Sequence, residues 1–237
     1  MTNNQLQIQS FCFGPFGTNT YVVSSFPSGE AGRGFILLID PACSNEYEQQ
    51  VLLDYINTLP VNQSVSPQDG LSAQRSVFCQ RSGLTIIATH GHLDHLWGAA
   101  WASETWHTPV LMHPDDIPMA QAMQQQYDLF GVRQKPVPFQ TASLTEYRPA
   151  SPDRIQTGFQ ILHTPGHTPG CVCLYWPDEK VLFSGDTLFR MGYGRTDLPG
   201  GNMLQLIDSL EKLFTLPSDV RVYPGHGDFT TIGAEKR

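Results

Sequence analysis

Three of the eight histidines in this 237-residue chain fall within six positions, in the run T-H-G-H-L-D-H. They are His90, His92 and His95, with Asp94 among them. The apolar stretch L-T-I-I-A at 84–88 comes directly before, so these side chains emerge where a strand ends and a helix begins. Imidazole and carboxylate are the donors zinc takes, and they also suit iron or manganese. His90 and His92, two apart, can reach one metal from an extended loop, while Asp94 and His95 can point toward a second. The competing reading is a solvated polar turn with a chance histidine cluster. The density of titratable groups behind a buried strand weighs against it.

Three further pieces have the same form. H-T-P-G-H-T-P-G offers His163 and His167 after F-Q-I-L. F-S-G-D-T-L-F places Asp186 just beyond V-L-F-S-G, where glycine keeps the backbone close. V-Y-P-G-H-G places His226 after V-R-V-Y. Each alone is weak, because a single loop Asp or His is more often structural. Four strand-then-ligand elements in one chain point to one site, since active-site groups of layered α/β architectures gather at strand ends. No G-x-S-x-G elbow is present, so serine chemistry is not expected.

These residues must be held by strands and helices that the sequence also marks. Apolar, β-rich runs bounded by Gly, Pro, Asp or Ser predict strands at 21–23, 35–39, 84–88, 110–112, 159–162, 171–176, 181–183 and 220–223. Helical periodicity covers 45–59, with Tyr47, Val51, Tyr55 and Leu59 as its stripe and an Asn45/Glu48 capping box. A second stripe, Met203, Ile207, Leu210 and Phe214, predicts a helix over 203–214, and 93–106 and 115–130 read as two more. Two β-rich halves with their own helices predict an α/β protein of two packed sheets with helices outside, in one domain spanning 1–237. The polar, aperiodic stretch 61–83 reads as a surface insertion, either a lid or a tolerated loop.

Composition excludes several classes. A net charge of −8 with no run of Lys and Arg disfavours nucleic acid or an anionic membrane as partner. The 40% apolar and 15% charged fractions are those of an ordered enzyme of a size that builds its own core. Five cysteines without a C-x-x-C pair suggest neither a disulfide framework nor a zinc ribbon. The amino terminus lacks a basic and apolar leader and no stretch is long enough to span a bilayer, so a cytoplasmic protein is the expectation.

H-x-H-x-D-H, a downstream histidine, an aspartate after a strand and a last histidine together resemble the metallo-β-lactamase superfamily, over nearly the whole chain. H-T-P-G-H-T, S-G-D-T-L-F and Y-P-G-H-G resemble its glyoxalase II (hydroxyacylglutathione hydrolase) branch, in short forms. The resemblance implies a four-layered αββα sandwich. It implies two divalent ions, zinc being the expected metal with iron or manganese as alternatives. His90, His92 and His167 would hold the first, Asp94, His95 and His226 the second, and Asp186 would bridge both. The implied reaction is hydrolysis of a thioester such as S-lactoylglutathione by a hydroxide that the two ions generate, with Asp94 and Asp186 at the reacting centre. A thiolate leaving group then needs no proton donor.

The resemblance leaves several residues open. Asp40 matches an aspartate that orients a ligand imidazole, or is a turn residue before Pro41. His163 is a residue behind the ligands or a structural one, and His107 and His113 are surface or packing residues. Long glyoxalase II enzymes carry a helical carboxy-terminal domain, whereas this sequence ends eleven residues past His226. In the loop after Asp186, Tyr193 and Arg195 are candidate substrate contacts, although Arg195 could instead pair with Asp197. G-R-T-D there also resembles iron-dependent persulfide dioxygenases, which remain an alternative, as do ester, lactone and phosphodiester hydrolases of the superfamily. Y-P-G-H-G is the hydrolase form of the last motif.

Overall fold

The computed structural model describes residues 6–26, 34–60, 84–145 and 158–236. The expected insertion at 61–83 lies outside them. The first sheet runs in sequence order from β1 (Gln7–Phe13) through β2 (Thr18–Ser25), β3 (Phe35–Ile39), β4 (Leu84–Ile87) and β5 (Val110–Met112) to β6 (Thr141–Ser143). Its first three strands are antiparallel and the rest run parallel. The second half contains β7 (Gln160–His163), β8 (Val172–Trp176), β9 (Val181–Gly185), the small hairpin β10 (Leu188–Phe189) and β11 (Gly192–Tyr193), β12 (Arg221–Pro224) and β13 (Thr230–Thr231). Its main sheet has the order β13-β12-β9-β8-β7, with only β12 and β9 parallel.

Among the described residues seven helices flank the sheets: α1 (Glu46–Thr58), α2 (Leu93–Leu96), α3 (Ala99–Trp106), α4 (Ile117–Gln121), α5 (Met123–Leu129), α6 (Met203–Phe214) and α7 (Ile232–Glu235). Successive side chains of a strand face opposite sides, and the core divides accordingly. Val22, Leu38 and Ile86 pack against Leu52 and Ile56 of α1 and against α2 and α3. Their neighbours Val23, Leu37, Ile39 and Ile87 face Val172, Leu174, Trp176 and Phe183 of the second sheet. The far side of that sheet, Cys173, Tyr175, Leu182 and Val222, meets Leu213 of α6 and Ile232 of α7. Helix, sheet, sheet and helix are thus stacked in four layers. Strands buried on both faces read as continuous apolar runs, which is why the central ones were legible.

The expected helices differ in detail. Residues 93–106 form two helices, because Gly98 leaves helical geometry (φ −92°, ψ 5°) and its N–H donates 2.8 Å to the carbonyl of Pro41. Residues 115–130 break at Ala122 (φ −87°, ψ 27°) and begin with a 3₁₀ turn at Pro114–Asp116. Asn45 caps α1 through the Glu48 N–H at 3.0 Å. The Glu48 carboxylate accepts from the backbone N–H groups of Ser44 and Gly14 instead of closing the box on Asn45.

Both predicted stripes are offset from the buried face. Leu52 and Ile56 are the buried residues of α1, while Tyr47 is 78% exposed. In α6 the buried residues are Leu206, Ser209 and Leu213, and Met203 and Ile207 are each 44% exposed. Ser209 interrupts the apolar face for a reason: its hydroxyl donates 2.7 Å to the carbonyl of Pro165, tying α6 to the loop that carries His167. Among the described residues no helix is long and apolar enough to cross a membrane.

Candidate metal centre

All seven sequence-predicted ligands converge at one end of the paired sheets. His90 and His92 follow β4, His167 lies between β7 and β8, Asp186 follows β9 and His226 follows β12. Asp94 and His95 stand on the single turn of α2. Backbone bonds lace these loops together: Val172 N–H to Thr89 O at 2.9 Å, Gly225 N–H to Gly185 O at 2.8 Å and Asn19 N–H to Gly225 O at 2.7 Å. The Asn19 amide also donates to the carbonyls of Pro224 and Gly227, at 3.0 and 2.9 Å. Gly225 is required by close approach. A Cβ there would overlap Asp186 Oδ1 and come within 2.6 Å of His95 Cε1.

Two clusters result. In the first, His92 Nδ1 lies 3.1 Å from His90 Nε2 and 2.9 Å from His167 Nε2. In the second, His226 Nε2 lies 3.3 Å from His95 Nε2 and 3.1 Å from Asp94 Oδ2. Asp186 stands between them, with Oδ1 3.2 Å from His95 Nε2 and Oδ2 3.5 Å from the Nε2 atoms of both His167 and His226. The donor set fits metal ions. His167 Nδ1 lies 2.6 Å from the Arg195 carbonyl and His95 Nδ1 lies 2.8 Å from Asp40 Oδ2, so each ring turns its Nε2 toward the centre. Ring nitrogens and carboxylate oxygens therefore face one another there, a donor set that a cation between them would satisfy. Asp186 Oδ1 is buried without a hydrogen-bond partner, as expected of an oxygen reserved for a metal.

The electrostatics of the clusters differ. Burial, reinforced by the surrounding imidazoles, holds His90 well below its ordinary pKa, and burial with His167 brings His92 down to about 4. Burial also pushes His95 down, but Asp186, Asp94 and Asp40 outweigh it and raise the ring well above its ordinary value. His226 is raised as well, by Asp94 and Asp186 against burial. Burial opposes ionisation of Asp94 and Asp186, yet His95 and His226 hold both carboxyls below the usual carboxylate range.

Several supports stand behind these groups. Asp40, in left-handed backbone (φ 52°), accepts from His95 and from the Thr89 hydroxyl at 2.8 Å and the Thr89 N–H at 2.7 Å. It orients an imidazole and is not merely a turn residue. Thr18 donates 2.9 Å to Asp94 Oδ2. Arg195 forms a two-pronged pair with Asp197, both bonds 2.6 Å, and its carbonyl, rather than its side chain, meets His167. Tyr193 is 54% exposed on the β10–β11 hairpin. His163 lies behind the His167 loop, with Nε2 2.9 Å from the carbonyl of Pro169 and its ring stacked on His113 (centroids 4.1 Å, planes 8° apart). Asp115 lies beside the pair, its Oδ2 3.6 Å from His113 Nδ1, so His113, Asp115 and His163 form a separate, more exposed His/Asp group. His107 ends α3 in left-handed backbone (φ 49°).

Sequence reasoning missed two supports in the 114–130 segment. Asp116 is fully buried and accepts from both loops of the three-histidine cluster. The Gln126 side chain accepts from the Leu93 N–H at 2.9 Å and donates to the Gly91 carbonyl at 2.9 Å. Nothing in H-P-D-D separates Asp116 from its exposed neighbour Asp115, so no sequence signal could have picked it out.

The family profile of the metallo-beta-lactamase superfamily matches residues 13–226, and the chain belongs to that superfamily. Within it, the fold and the His/Asp centre define a metallo-hydrolase. An uncharacterised protein of Aquifex aeolicus is 34% identical over 227 residues, covering 94% of this chain and 90% of that one. The hydroxyacylglutathione hydrolase GloC of Haemophilus influenzae is 37% identical over 165 residues, 64% of this chain and 72% of its own. Among solved structures, TTHA1623 in a di-iron-bound form superposes with a TM-score of 0.68 at 33% identity, over 97% of both chains.

Proposed function

We propose that this protein hydrolyses small thioesters of the hydroxyacylglutathione type at a two-metal centre. His90, His92 and His167 would hold one ion, Asp94, His95 and His226 the other, and Asp186 both. The observation that carries this reading is the completeness of two clusters sharing one carboxylate. Bound there, two divalent ions would lower the pKa of a coordinated water to about 7 and so supply hydroxide at neutral pH. The nitrogen-rich set suits zinc or iron, and the similar TTHA1623 is described with two irons.

The residues of the chain define the rest. Asp94 and Asp186 are held as carboxylates, so each accepts a proton or hydrogen bond and neither acts as an acid. A leaving amine or alkoxide would need such an acid. A thiolate leaves unprotonated, and the chain is 37% identical over 165 residues to the hydroxyacylglutathione hydrolase GloC. The Asp94 and His226 side chains, 18% and 28% exposed, mark the side from which substrate enters. The alternative single-iron dioxygenase gives Asp94, His95 and His226 no ligand duty, which their mutual packing disfavours. The test is elemental analysis of purified protein with an assay of thiol release from S-lactoylglutathione. About two ions per chain are expected, with oxygen-independent hydrolysis lost in His226→Ala. Oxygen consumption with glutathione persulfide, retained in that variant, would overturn the assignment.

A further inference from the structure

The loops bearing His90 and His92 on one side and His167 on the other come from different sheets, and the backbone bond from Val172 N–H to the Thr89 carbonyl ties them together. A buried carboxylate ties them again. Asp116 Oδ2 accepts from the N–H of Gly91, between His90 and His92, at 2.8 Å, and from the hydroxyl of Thr168, next to His167, at 2.6 Å. Its Oδ1 accepts from the N–H of Gly170 at 2.6 Å. Two of the donors are backbone N–H groups that cannot reverse roles. The third, the Thr168 hydroxyl, gives its single proton to Asp116, which leaves the Cys171 thiol, 3.0 Å from Thr168 Oγ1, to donate to that oxygen. The approach is close: a Cβ on Gly170 would lie 2.7 Å from Asp116 Oδ1. Three donors converge on one carboxylate, and an amide in its place would turn its NH₂ against at least one of them.

We propose that Asp116 is a positioning residue that locks the His90/His92 loop to the His167 loop and thereby sets the metal affinity of the three-histidine cluster alone. The second cluster hangs on different supports, Asp40 behind His95 and Thr18 behind Asp94. This inference rests on the two-metal reading, and a titration separates the two. Metal-free protein is titrated with cobalt(II), following the visible spectrum against a competing chelator. If the unaltered protein takes up fewer than two ions, the two-metal reading fails, whatever the variants do.

Given two ions, Asp116→Asn is expected to weaken one site roughly 10- to 100-fold, the range for residues that orient metal ligands, while the other keeps its affinity. Leu52→Ala, in the core under α1, lowers Tm but should leave both affinities unchanged. Thr168→Val removes one donor and keeps the carboxylate, so it should weaken the same site by less. If Asp116→Asn does not fold, this variant carries the test. Unchanged affinities in the folded variants, or equal loss at both sites, would overturn the proposal.

Discussion

The two metal clusters are neighbours built on opposite plans. The three-histidine cluster is buried, contains no carboxylate of its own, and keeps His90 and His92 neutral through burial. The Asp94/His95/His226 cluster is partly open, and its carboxylates draw protons onto its imidazoles. One is braced by backbone and the 114–130 segment, the other by Thr18, while Asp40 reaches both, directly at His95 and through Thr89 at His90. The difference separates a closed cluster whose His90 and His92 take up no proton near neutrality from a more open one whose His95 and His226 attract them.

The largest expected effect comes from removing what the clusters share. Asp186→Ala deletes a side chain that lies within 3.5 Å of ring nitrogens in both. Metal content should fall from about two ions per chain toward none, and thioester hydrolysis by about three powers of ten or more, since a catalytic metal contributes several kcal/mol. Full occupancy in that variant would show that the clusters are independent.

Next come variants confined to one cluster. His226→Ala should leave one ion bound and abolish most activity, whereas His167→Ala should release the ion of the buried site. Calorimetric titration of each variant with zinc reads the difference. Identical losses in both would mean that the clusters behave as one cooperative site, and the contrast drawn here would dissolve.

How much of this contrast the sequence disclosed depends on what each residue does. His90, His92, Asp94 and His95 were legible because ligands from a single loop must be close in sequence. His167, Asp186 and His226 were legible because each follows an apolar strand. The supports were harder. Asp40 was recognisable only as one of two possibilities, and Asp116 and Gln126 act through loop backbone, which leaves no pattern of residue types. β1 escaped notice because Gln7, Gln9 and Ser10 make it a polar edge strand. The start of β2 escaped because Thr18, Asn19 and Thr20 are polar yet buried, where they bond to Asp94, Pro224 and Asp40. The stripe of α6 was misplaced by one residue for the same reason, since Ser209 occupies a core position to hold Pro165.

A smaller effect separates the clusters by pH. Metal binding requires neutral imidazoles, so protons compete wherever a ring's metal-free pKa is raised. His95 and His226 are raised, and His92 is lowered to about 4. As pH falls from neutrality, His95 and His226 take up protons first, and the open site should release its ion while the three-histidine site still holds. Metal released on stepwise acidification, measured after rapid desalting, should appear in two stages of about one ion each. Release in a single stage, or loss of the late stage instead of the early one in His226→Ala, would contradict the assigned electrostatics.

The smallest effect is expected at Arg195, next to the buried cluster yet outside its chemistry. The side chain is solvent-exposed and its guanidinium is already engaged by both oxygens of Asp197. What reaches the centre is the Arg195 carbonyl, which accepts from His167 Nδ1 at 2.6 Å and survives any substitution that keeps the backbone path. Exposed pairs of this kind are screened by water and salt and contribute little. Arg195→Ala should therefore leave Tm, metal content and kcat unchanged, and KM for S-lactoylglutathione within about twofold, a shift of a few tenths of a kcal/mol. A rise in KM of tenfold or more at constant kcat would show that the guanidinium leaves Asp197 to grip a substrate carboxylate. The loop after Asp186 would then belong to the open, substrate-facing side of the molecule.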